Sequence, residues 1–116
     1  MTENAEIAQF PTGRRAPRPV VFDRREMSAI LDLYGRMVAA GAWRDYAIDG
    51  GKEEAVFAVY RRASEAPLYR IIKRPKLARR QGLYAVIGPD GRMLRRGDRL
   101  ENALALFEKR FVKLVK

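Results

Sequence analysis

Ten cations are the residues best suited to chemistry in this 116-residue chain. Arg70, Lys73, Arg74, Lys76, Arg79 and Arg80 fall within PLYRIIKRPKLARRQG, a stretch without a single acid. Arg61 and Arg62 lie just before it, and Arg95 and Arg96 follow it. Lysine and arginine neutralise phosphates and release their counterions, and the arginine fork matches two phosphate oxygens at once. Residues 61–99 hold twelve basic side chains against three acidic ones, within a formal net charge of +10. Such clustering costs self-repulsion, so it points to a polyanionic partner or to a solvated, solubilising surface.

Other constellations are weaker. Asp45, Asp49, Glu53 and Glu54 flank a Gly-Gly turn beside Lys52. A magnesium-dependent nuclease would need such carboxylates to converge near a lysine. Acids around a turn are ordinary surface, and no strand-borne Glu-x-Lys follows. Tyr60, Tyr69 and Tyr84 sit among arginines on strand-like segments, the composition of a sheet that stacks bases. Strand tyrosines more commonly pack into a core, and we read these three that way. Gly50-Gly51 is too short to cradle a phosphate, and no phosphate-loop motif is present.

Cysteine and histidine are both absent. Disulfides, thiolate chemistry, zinc sites built on those residues and the usual general base at neutral pH are therefore excluded. We expect a non-enzymatic protein, with the nuclease as the alternative, and no cofactor or metal. The N-terminal MTENAEIAQFPTG lacks the charged and apolar regions of a signal peptide, and no apolar run is long enough to span a bilayer.

These cations must be positioned by a small domain. Residues 1–18 are polar and then rich in Pro and Arg, and they read as a flexible basic arm. Residues 19–116 read as a single α+β domain. Asp23 with Glu26 forms a capping-box pattern, and Phe22 with Met27 a hydrophobic staple. Met27, Ile30, Leu31, Tyr34, Met37 and Val38 recur at helical spacing, and Gly41 supplies the stop, giving a helix over Arg24–Ala40. Five strands are expected: 43–48, 54–62, 68–74, 83–87 and 92–96. Pro75 ends pairing in the third. Asp98 with Glu101 caps a last helix, lined by Leu100, Leu104, Phe107, Phe111 and Leu114. Lys109, Arg110, Lys113 and Lys116 near its end complement the helix dipole. Tight connections favour an antiparallel sheet of four or five strands, with both helices on one face. The other face is then expected to carry Val56, Tyr60, Ile72 and Val86 as a partly apolar surface.

The segments PRPVVFDRRE, ILDLYGRMVAAGAWRDYAID, AVFAVYRRASEAPLYRI and KRPKLARRQGLYAVI resemble a family of small alphaproteobacterial proteins, domain of unknown function 2794. The resemblance runs from about Pro17 to the last helix. It implies a bacterial cytoplasmic protein and no particular activity.

The expected function is nucleic-acid binding, to DNA or RNA, through the basic strand and loop. The alternative is a protein-interaction module or homodimer that uses the open sheet face and has no nucleic-acid role. No membrane partner is expected: the basic, amphipathic last helix could lie on an anionic surface, but the sheet needs it as cover.

Overall fold

The computed structural model describes residues 18–62, 66–80 and 82–115. The arm expected over 1–18 lies outside them, apart from Arg18. Helix α1 (Arg24–Ala39) leads into strands β1 (Asp45–Gly50), β2 (Ala55–Tyr60), β3 (Tyr69–Lys73), β4 (Tyr84–Ile87) and β5 (Met93–Gly97), and helix α2 (Leu100–Val115) follows. The strands form one antiparallel sheet in sequence order. A short 3₁₀ turn, Pro75–Leu77, interrupts the β3–β4 connection. Among the described residues, no helix is long and apolar enough to cross a membrane.

Helix α1 begins where the capping box predicts. The Asp23 carboxylate accepts the Glu26 N–H, and the Glu26 carboxylate accepts the Asp23 N–H, both at 2.8 Å. It ends in a Schellman motif: Gly41 at φ +80° donates to Val38, and Ala42 donates to Met37. Its buried face differs from the expected stripe. Glu26, Ile30, Leu33 and Met37 are buried, whereas Leu31 and Val38 are exposed. The helix is rotated so that an acid, Glu26, points inward.

Both helices pack on one face of the sheet. Ile30, Leu33 and Met37 of α1 and Leu100, Ala103, Leu104 and Phe107 of α2 meet Phe57 and Val59 of β2, Ile71 of β3 and Val86 of β4. Trp43, expected on the first strand, instead precedes β1 and is 2% exposed in this core, edge-on to Phe107 at 5.2 Å. Tyr69 meets the same Phe107 ring at 5.0 Å. The helices run parallel, tied near their starts by Arg25 and Glu101 at 3.2 Å, and further along by a two-pronged Arg36–Glu108 pair at 2.7 and 2.8 Å.

Two expectations at the end of the chain need correction. Asp98 does not cap α2. The Arg99 carbonyl accepts the first helical N–H, from Ala103, so Arg99 holds the cap position. Gly97 is still paired with Tyr84 in β5, which leaves only Asp98 and Arg99 to make the turn. Val86 does not belong to the open face. It stands opposite Ile71 and packs in the core, and its neighbours Ala85 and Ile87 occupy the open face instead.

Candidate functional site

Residues directly opposite each other in an antiparallel sheet share a face, so register assigns each arginine a side. Arg70 stands between Ala58 and Ile87, and Arg96 stands opposite Ala85, which itself faces Ile72. Both belong to the face away from the helices, as does Arg74, two residues beyond Ile72. Arg95 stands opposite Val86 and so belongs to the helix-covered side. Strand alternation sends the adjacent Arg95 and Arg96 to opposite faces, and the register shift between Val86 and Ile87, which inserts an extra residue into β5, decides that Arg96 takes the open one.

The open face is closed over by its own side chains. Ala58, Ile72, Ala85 and Ile87 are only 6%, 5%, 0% and 8% exposed, although no helix among the described residues covers them. Arg74 shows how. It begins on β3, and its Nη2 reaches 4.0 Å from the Met93 sulfur on β5. That path crosses β4 at the small Ala85. Its Nε is shielded from solvent and has no hydrogen-bond partner among the described residues. A desolvated, unpaired guanidinium N–H is costly until an acceptor reaches it.

The β3–β4 loop continues this surface at the end of the sheet. Arg74 N–H still bonds the Leu83 carbonyl, and Pro75 then ends the ladder. Successive turns follow: Leu77, Ala78 and Arg80 donate to the carbonyls of Arg74, Pro75 and Leu77. Leu77 and Ala78 are half-buried and anchor the loop, while Lys76, Arg79 and Arg80 are exposed. Lys76 has Glu53 as a distant partner at 3.9 Å. Gly82 closes the loop at φ +90°, so near β5 that a Cβ would lie 2.9 Å from the Gly97 N and O.

Besides Arg95, three of the expected cations are placed elsewhere. Arg61 and Arg62 are exposed beyond Tyr60. The Ala55–Lys73 pairing puts the loop at the other end of β2. Lys73 faces inward. Its ammonium lies 2.8 Å from a Glu26 oxygen and 3.0 Å from the Val21 carbonyl. The other Glu26 oxygen accepts the Tyr84 hydroxyl. Burial alone would raise the Glu26 pKa, but bonds from Lys73, Tyr84 and the Asp23 N–H outweigh it and hold the carboxyl below its ordinary value. Burial, together with the bond to Glu26, pushes the Tyr84 phenol well above its ordinary value.

Tyr69 and Tyr84 are packing residues, and Tyr60 is half-buried. Among the described residues, no three acids gather as a metal site requires. Asp45 and Asp49 stand four residues apart on the exposed strand β1, and Glu53 turns to Lys76. One group of functional interest was read in the sequence as a dipole complement and as a membrane contact that the helix's core role displaced. Lys109, Arg110 and Lys113 border an apolar cleft beside Trp43 and Tyr69. The i, i+1, i+4 spacing of these cations between Leu106 and Leu114 was the available signal.

Residues 20–104 match the family model described as protein of unknown function (DUF2794). The chain belongs to this family. The match takes in α1, the whole sheet and the first turn of α2, and so every element that carries the open face. No curated protein and no solved structure is significantly similar to this DUF2794 chain.

Proposed function

We propose that this protein binds nucleic acid through Arg70, Arg74 and Arg96 on the open sheet face and Lys76, Arg79 and Arg80 on the adjoining loop, as a cytoplasmic bacterial protein without catalytic activity of its own. The observation that carries the reading is the state of that face. An interaction module would present an apolar patch there. Here the apolar floor of Ala58, Ile72, Ala85 and Ile87 is almost wholly shielded and Arg70, Arg74 and Arg96 lie along its β3–β5 side, while the exposed Asp45, Asp49 and Met93 share the face further out. Phosphates would be met first by the loop cations and then by the arginine row, with Arg74 Nε–H as an unsatisfied donor.

The test is fluorescence anisotropy with labelled duplex DNA, single-stranded DNA and RNA at two salt concentrations. Binding that weakens steeply with salt supports the reading. No binding to any of the three at low salt would overturn it.

A second reading has its own support, at a different place from the one first expected. Strand β1 is an exposed edge, and Val21, Tyr46 and Ile48 are 59%, 44% and 52% exposed around it. An unprotected edge with apolar neighbours is a template for pairing with another chain, a second copy included. Light scattering on the purified protein distinguishes a stable homodimer from a monomer.

A further inference from the structure

At the end of the sheet opposite the β3–β4 loop, a cleft of about 560 Å³ opens between the sheet and the second half of α2. Its volume falls within the range of small-molecule sites. The floor is apolar: Trp43, Leu68, Tyr69 and Leu106, with Leu114 at the mouth. The rim is cationic, formed by Lys109, Arg110 and Lys113, and among the described residues no acid lines the cleft. These three cations make no ion pair among the described residues. Glu108, the acid beside them in sequence, is held away by Arg36 of α1. The Arg110 guanidinium already lies over the Tyr69 ring, 5.6 Å from its centre, so one rim charge is held against the apolar floor.

A helix that only closed a core would not need a cleft of this size beside it. Nor would helix-dipole complementation need three cations at its border. We propose that the cleft binds a small amphipathic carboxylate, with its apolar body on the floor formed by Trp43, Leu68, Tyr69 and Leu106 and its head group met by Lys109, Arg110 and Lys113. Charge complementarity selects an anion. The apolar floor selects against a bare phosphate or a nucleic-acid backbone, which would leave that floor unfilled. This site is separate from the surface proposed for nucleic acid and does not depend on it.

Trp43 is the chain's only tryptophan and lines the cleft, so its emission reports occupancy. The full chain is titrated with decanoate and, as a neutral match, with decanol. The expected result is a saturable change in Trp43 emission with decanoate at concentrations where it is monomeric, with at least tenfold weaker binding of decanol. The variant Lys109→Ala/Arg110→Ala/Lys113→Ala should lose that preference while melting as the parent does. Arg110→Gln, which keeps most of the side-chain volume, should lose part of it. Lys76→Ala/Arg79→Ala/Arg80→Ala should bind decanoate unchanged. Equal affinity for decanol and decanoate would overturn the proposal. So would no response to decanoate, or a response only to phosphatidylglycerol vesicles, which would make the rim a membrane contact.

Discussion

The ammonium of Lys73, on β3, lies 2.8 Å from the buried carboxylate of Glu26, on α1, across 47 residues of sequence. Glu26 is 3% exposed and Lys73 16%, so each charge depends on the other for compensation. Removing one partner of such a pair leaves the other uncompensated and costs about 3–5 kcal/mol. Lys73→Ala and Glu26→Ala should each destabilise the protein by an amount of that order in urea unfolding. The double variant should cost less than the sum, and a coupling near zero would show the pair to be incidental.

The same network sets the pH range of stability. Glu26 has its pKa lowered on folding, and so does Glu108, through its bonds to Arg36. The stability they contribute is fully present above their ordinary value of 4.5 and is lost as pH falls through the lower folded values. Tyr84 has the opposite sign. Its raised pKa contributes stability that is complete below the ordinary phenol value of 10.0 and is lost as pH climbs beyond it. Unfolding free energy should therefore hold a plateau between these limits. Glu26→Gln should flatten the acid limb, and Tyr84→Phe the alkaline one.

Lys76, Arg79 and Arg80 are exposed side chains at the tip of the β3–β4 loop. The variant Lys76→Ala/Arg79→Ala/Arg80→Ala should keep the parental Tm within a degree or two, because surface changes of this kind cost about 0.5 kcal/mol or less each. Its nucleic-acid affinity should collapse, and the slope of log K against log salt should fall by about 0.9 for each duplex phosphate that is no longer neutralised. An unchanged slope would remove the loop from the interface.

Gly82 is a position where only glycine fits. At φ +90°, with a Cβ placed 2.9 Å from the Gly97 backbone, Gly82→Ala should cost about 2 kcal/mol or more by thermal melting. Gly91→Ala has the same positive φ but open space around it, so it should cost only the backbone term, about 1 kcal/mol.

The sheet and its meander were legible in the sequence because every connection carries its own chemistry. Gly51, Pro75 and Gly88-Pro89-Asp90-Gly91 punctuate the strand segments, although Asp49 and Gly50, expected beyond the first strand, are paired in β1. The start of α1 was legible for the same local reason, the Asp23–Glu26 box. What escaped depends on partners distant in the chain. Nothing around Glu26 says that Lys73 and Tyr84 will receive it, so the buried face of α1 was placed too far towards Leu31 and Val38. The tetrapeptide YAVI of β4 is apolar throughout, so alternation could not assign Val86 to a face. The acid-free run 67–82 was legible as a cationic stretch. Strand parity sends Arg70 and Arg74 to one side and Lys73 to the other; that Lys73 is taken up by Glu26, 47 residues away, was not legible.

The two ion pairs that join α1 to α2 span 76 and 72 residues of sequence, whereas each strand pairs with the next one along the chain. Hairpins of this kind close early, since little loop entropy opposes them. Helix α1 can cover part of the apolar face they build, but the part beside Trp43 and Tyr69 waits for Phe107 of α2. A chain with a formed meander and α2 still undocked therefore has a half-roofed core, the state most exposed to misassociation. Docking of α2 on the sheet ends that exposure.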